Sequence, residues 1–177
     1  MSTTEIMIAG FGGQGVLFTG KFVAYKGLTE GKEITWLPSY GPEMRGGTAN
    51  CTVILSDTPI GSPMTTHPDI LIAMNLPSFE KYEMAVKKGG TIIVDSSLIP
   101  CGTKRDDINF YAIPATAMAN EAGLTNLSNM IMLGKAIKET GCVKYDGLNE
   151  AFNKIVSAKH KDLIEANIKA INLGHNN

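Results

Sequence analysis

Ile6-Met7-Ile8-Ala9-Gly10-Phe11-Gly12-Gly13-Gln14-Gly15 is the stretch whose reading decides the fold. Four apolar residues in a row suit a strand buried on both faces. Glycines 10, 12 and 15 then give the G-x-G-x-x-G spacing of a strand that turns tightly into a helix. In such a turn bare backbone N–H groups and the positive end of a helix dipole face an anion. The candidate contacts are the N–H groups of Gly12, Gly13 and Gly15, with the Gln14 side chain as a donor to a ligand oxygen. The bland reading stands beside it: the glycines make only a tight turn and a close helix.

Outward from this stretch, the pattern alternates. A helix is expected from about Gln14 to Thr29, with Val16, Gly20, Val23 and Gly27 on one face. The two glycines on that face let the helix sit close to a sheet. Gly31 ends it, and Glu33 to Leu37 reads as a second strand. Thr48 to Ser56 reads as a third, with Ala49, Cys51, Val53 and Leu55 on one face and Asn50 and Thr52 on a wetter one. Asp57 to Pro63 is turn chemistry. Ile70 to Met74 is a continuous apolar run, as a central parallel strand requires. A helix from about Pro77 to Lys87, strands at Thr91–Val94 and Asn109–Ile113, and a helix at Pro114–Ala122 follow. Beyond Ser128 the chain reads as helical, over 128–140, 148–158 and 161–172. Strands alternating with helices predict one α/β domain over residues 1–177. Its sheet is open and mostly parallel, flanked by helices and Rossmann-like, and its C-terminal region is helical.

The bulk composition narrows the function. The 177 residues carry a net charge of −1, so no basic field calls for nucleic acid or an anionic membrane. Charged residues are only 19% and hydrophobic ones 44%, with nine Met, which hints at permanent partner subunits. Cys51, Cys101 and Cys142 form no C-x-x-C pair, which suits a reducing cytoplasm and supplies no cluster or zinc framework. The sequence shows no apolar run of about 18 residues and no basic leader, so no membrane span or secretory signal is expected. The histidines have no metal-spaced partner.

In open parallel sheets ligands gather beyond the C-terminal strand ends, which here carry Gly10 to Gly15, Asn75 and Asp95-Ser96. A dinucleotide site also needs an acid about 20 residues past the glycines, to accept from a ribose hydroxyl. At that distance stand Trp36, Leu37 and Pro38, so an NAD dehydrogenase is disfavoured. A second loop combines rigidity with polar reach: Pro38-Ser39-Tyr40-Gly41-Pro42-Glu43-Met44-Arg45-Gly46-Gly47. Arg45 on such a loop either clamps a carboxylate or phosphate or pairs structurally with Glu43 or a neighbouring strand.

The two loops together resemble the gamma subunit of 2-oxoacid:ferredoxin or flavodoxin oxidoreductases. The likeness runs along essentially the whole chain. Trp36-Leu37-Pro38-Ser39-Tyr40 and Gly46-Gly47-Thr48-Ala49-Asn50-Cys51 look most like the 2-oxoglutarate branch, with branched-chain 2-oxoacid enzymes close behind and the pyruvate branch less alike. The resemblance implies a role in an enzyme that oxidatively decarboxylates a 2-oxoacid with coenzyme A, giving an acyl-CoA (succinyl-CoA from 2-oxoglutarate) and carbon dioxide. It implies alpha, beta and delta-type partner subunits, with ferredoxin or flavodoxin as acceptor. Thiamine diphosphate, its magnesium ion and the iron–sulfur clusters are implied on those subunits, and this chain is expected to hold no catalytic group or metal. Its expected contacts to coenzyme A or to partners are Gly10, Gly12, Gly13, Gln14, Gly15, Ser39, Tyr40, Gly41, Glu43, Arg45, Gly46 and Gly47. The strand-end residues Asn75, Asp95 and Ser96 are further candidates. The alternative is a free-standing nucleotide- or CoA-binding α/β module.

Overall fold

A computed structural model describes residues 2–40, 47–157 and 161–177. Six strands form one sheet in the order β2-β3-β1-β4-β5-β6. They are β1 (Thr3–Phe11), β2 (Glu33–Tyr40), β3 (Thr48–Ser56), β4 (Ile70–Ala73), β5 (Thr91–Asp95) and β6 (Asn109–Ile113). Pairs β1/β4, β4/β5 and β5/β6 are parallel. β3 runs against both β1 and β2, so it is the one reversed strand. The sheet is therefore mostly parallel, with a β2–β3 hairpin that the pattern of apolar residues did not reveal.

The helices are α1 (Val16–Thr29), α2 (Leu76–Tyr82), α3 (Ala115–Glu121), α4 (Ser128–Thr140), α5 (Leu148–Ile155) and α6 (Asp162–His175). α1, α3, α4, α5 and α6 bury one sheet face, with Ile6, Ile8, Val53, Ile72 and Ile93 beneath them. α2 covers part of the other, against Met7, Leu71, Ile92 and Val94. This double burial is why β4 and β5 read as unbroken apolar runs. Gly20 and Gly27 let α1 lie on β3: a Cβ at Gly20 would strike Cys51 Sγ, and one at Gly27 would come 2.6 Å from Leu55 Cδ2.

Two local expectations are corrected. The second face of β3 is not wet, since Thr52 and Ile54 are buried there. Thr58 to Ser62 and Met64 line one cleft with Ile54 on that side. The helix expected to reach Lys87 ends at Tyr82 and passes into a 3₁₀ turn, Glu83–Ala85. The cause lies far along the chain: the Arg105 guanidinium donates to Glu83 O (2.9 Å) and Val86 O (2.7 Å). Those carbonyls are satisfied without further helix.

Candidate functional site

The C-terminal edge of the sheet brings the two glycine-rich segments together. β1 and β3 pair as far as Phe11 and Thr48. One rung further, Gly12 N–H donates to Gly47 O at 2.9 Å. The turn after β1 and the exit of the 39–47 loop are thus one structure. Gly41, Pro42, Glu43, Met44, Arg45 and Gly46 lie outside the described residues. Ser39, at the end of edge strand β2, is exposed.

The turn is set by backbone conformation. Gly13 and Gly15 have φ of +99° and +77°, in the region that favours glycine. Gly15 is also crowded, since a Cβ there would strike Asn129 Nδ2. Gly13 faces open space. Gly15 caps α1 with no side-chain hydrogen bond, and the first turn of α1 holds no acid. Gln14 N–H donates to Phe11 O and Thr19 N–H to Gly15 O. Among the described residues the N–H groups of Gly13, Gly15, Val16 and Leu17 meet no acceptor. Donors without acceptors at the positive end of a helix make an anion-seeking corner. A cleft of about 260 Å³ opens there, lined by Phe11, Gly12, Gly13, Gly15, Phe18 and Ala49.

Gln14 is bound into the fold. Its Oε1 accepts from Phe11 N–H (2.7 Å) and Asn75 Nδ2 (3.2 Å), and its Nε2 donates to Met74 O (3.0 Å). This amide spans β1 and β4, the point at which chain connections diverge to opposite sides of the sheet. In an open parallel sheet that point is the ligand crevice; here the Gln14 amide stitches across it, with one Nε2 proton left over. Gly10 is small for the same reason, because a Cβ would come 2.7 Å from Gln14 Oε1.

The other strand-end residues are also engaged. Asn75 caps α2, its Oδ1 accepting from Ser78 N–H at 2.9 Å. Asp95 is buried and caps α3: its Oδ2 accepts from Thr116 Oγ1 (2.5 Å) and Thr116 N–H (3.1 Å). Ser96 N–H donates to Ile113 O, continuing the β5/β6 ladder. Thr116 shares a cleft of about 250 Å³ with Gly13, Gln14 and Ser128, so the three strand ends flank one region.

Cys51 sits beneath the start of α1, its Sγ 3.5 Å from Val16 O. Burial pushes its thiol up to about 12, against weaker opposing contacts with Trp36 and Gly20. It stays protonated and is no nucleophile. All three cysteines are free, and no three His, Cys, Asp or Glu side chains converge among the described residues. Nor is any described helix long and apolar enough to cross a membrane.

Asn129 and Asn167 are neighbours of the site that the sequence reading missed. Both are buried, on α4 and α6. The available signal was a polar residue on an apolar stripe: Asn167 shares its face with Ile164, Ala170 and Ile171.

The family profile for pyruvate ferredoxin/flavodoxin oxidoreductase matches residues 5–177. The ketoisovalerate oxidoreductase subunit VorA of Methanothermobacter marburgensis is 36% identical over 172 residues, 96% of this chain. This chain spans only 35% of that relative's length. The 2-oxoglutarate synthase subunit KorC of Methanocaldococcus jannaschii is 34% identical over 174 residues, covering 97% of this chain and 91% of the relative. Among solved structures, the gamma subunit of a keto/oxoacid ferredoxin oxidoreductase from Geobacter sulfurreducens superposes with a TM-score of 0.81 at 30% identity, covering 98% and 96% of the two chains.

Proposed function

The chain belongs to the pyruvate ferredoxin/flavodoxin oxidoreductase family, and from that premise we propose that it is the gamma subunit of a 2-oxoglutarate:acceptor oxidoreductase. That enzyme converts 2-oxoglutarate and coenzyme A to succinyl-CoA and carbon dioxide and passes the electrons to ferredoxin or flavodoxin. The observation that carries the reading is the junction of the two glycine-rich segments through Gly12 and Gly47. The full-length match to KorC favours 2-oxoglutarate over a branched-chain oxoacid.

In this reading thiamine diphosphate, its magnesium ion and the iron–sulfur clusters belong to alpha, beta and delta-type subunits in the cytoplasm. The dispersed, unpaired cysteines of this chain suit that division. The chain's own part is recognition. The open N–H groups of Gly13 and Gly15, with the 39–47 loop and its Arg45, face a phosphate of coenzyme A or the cleft between subunits. Asn75 and Asp95 hold the helices around that region in place.

The test is a substrate panel on the assembled enzyme. We expect kcat/KM for 2-oxoglutarate to exceed that for pyruvate and for 3-methyl-2-oxobutanoate by at least about tenfold, or 1.4 kcal/mol of transition-state binding. A reversed order would overturn the assignment of substrate.

A further inference from the structure

A side chain interrupts the β1/β4 ladder at its C-terminal end. Ala9 pairs with Ala73, and Met74 N–H donates to Ala9 O at 2.8 Å. In a parallel ladder a residue bonds to the two neighbours of the residue opposite it, so the next rung would run from Phe11 N–H to Met74 O. Gln14 takes both groups instead: Phe11 N–H donates to its Oε1 (2.7 Å), and its Nε2 donates to Met74 O (3.0 Å). One side-chain amide thus stands in place of a direct rung. Its surroundings hold it there. Asn75 Nδ2 donates to the same Oε1 (3.2 Å), and Asn75 is buried, its Oδ1 committed to Ser78 N–H. A Cβ on Gly10 would come 2.7 Å from Oε1, so glycine leaves the amide its room. Gln14 N–H also donates to Phe11 O (3.1 Å), so one residue clamps Phe11 through both its backbone and its side chain.

Between the clamped residues lie Gly12 and Gly13. Gly12 N–H is held by Gly47 O, while no described atom lies within 4 Å of where a Cβ on Gly13 would sit. The direction of the turn is therefore set at its ends and not by packing on its crest. Donors fixed in place bind an anion more tightly than donors that must first be turned toward it. We propose that Gln14 is a positioning residue: its amide holds the glycine turn off β4, so that the N–H groups of Gly13 and Gly15 face a ligand phosphate, and it does so without contacting the ligand. That the phosphate belongs to coenzyme A rests on the oxidoreductase reading above. The role differs from that of an ordinary fold contact. Without the amide, Phe11 N–H and Met74 O are free to bond directly, as in any parallel ladder. The fold then keeps its hydrogen bonds, and the turn closes toward β4.

The experiment compares the assembled enzyme in three forms: wild type, Gln14→Met and Asn75→Ser. Methionine keeps the length of the Gln14 side chain and removes its polar atoms. Serine at position 75 still caps α2 but withdraws the donor from Gln14 Oε1. Calorimetry gives the dissociation constants for coenzyme A and for inorganic pyrophosphate; kcat, the KM for coenzyme A and the melting temperature are measured alongside. Gln14→Met should weaken both ligands at least about tenfold and Asn75→Ser about threefold, the loss falling on KM and not on kcat, with melting within a few degrees of the wild type. Because Asn75 is buried, its effect on a ligand passes through Gln14. A lower melting temperature or kcat with ligand binding intact would make Gln14 a fold contact and overturn the proposal. Weakened binding in Gln14→Met alone, with Asn75→Ser like the wild type, would make Gln14 a direct ligand contact and overturn it as well. So would a wild type that binds neither ligand. Should Gln14→Met not assemble, Asn75→Ser decides alone. A wild type without CoA-dependent turnover, whose pyrophosphate binding still weakens in the variants, would sink the oxidoreductase reading and leave the positioning role standing.

Discussion

Gly13 and Gly15 differ in a way that the spacing G-x-G-x-x-G conceals. Both need positive φ, but only Gly15 lacks room, because Asn129 occupies the position of its Cβ. Gly13→Ala should therefore cost roughly 1 kcal/mol from backbone strain, and Gly15→Ala roughly 3 kcal/mol, strain and overpacking together. Urea unfolding of the two variants checks the order; equal losses would mean that Asn129 yields freely. The sequence made the turn legible, because conformational need is written in the residue type. It did not reveal that Gln14 stitches β1 to β4, since the acceptor Met74 O is 60 residues away and is a backbone atom. Cys51 gives a second expectation at this scale. Its thiol is pushed from 9.0 to about 12 in the folded chain. Between those values the unfolded chain releases the proton and the folded chain keeps it, so stability falls as pH rises. From about pH 8 to about pH 10.5 the wild type should lose roughly 2 kcal/mol more than Cys51→Ala, at about 1.4 kcal/mol per unit above the unfolded value. Parallel losses in the two proteins would contradict the burial of this thiol.

Helix α4 owes its place to a glycine that the reading of elements passed over. Gly134 faces α6, and a Cβ on it would run into Ile171 O and lie 2.9 Å from His175 N. Gly174 faces back, its Cβ position against Ile131 O. The obstructing atoms are backbone, so the helices themselves would have to separate. Gly134→Val should cost roughly 3 kcal/mol or more, read by thermal or urea unfolding; a loss below about 1 kcal/mol would mean a looser crossing than the one described. Asn129 on α4 and Asn167 on α6 line one cleft. Sequence periodicity located α4 and β6 to the residue because their apolar patterns are local. It overran α2, whose end is set by Arg105, and it missed the reversal of β3, since alternation reads the same in either direction. The wetter face expected for β3 failed because Thr52 and Ile54 are buried by tertiary structure, with the 58–64 segment packed around the same cleft as Ile54.

At the scale of the whole chain, the sheet gathers the first glycine turn, the exit of the second loop and three strand ends at one edge. The fold surrounds that edge with N–H donors and apolar walls. In VorA the part that matches this chain is 35% of the relative's length. The loop residues 41–46, Arg45 among them, were singled out by sequence and lie outside the described residues, so their part in the site stays with the proposal. The most direct measurement is to tag this chain at its native expression level, purify it anaerobically and identify what accompanies it. The same preparation is then assayed for acceptor reduction dependent on both 2-oxoglutarate and coenzyme A. The account predicts stoichiometric recovery of a thiamine diphosphate-binding chain and an iron–sulfur chain, with turnover that requires both substrates. Recovery of this chain alone, without turnover, would contradict it.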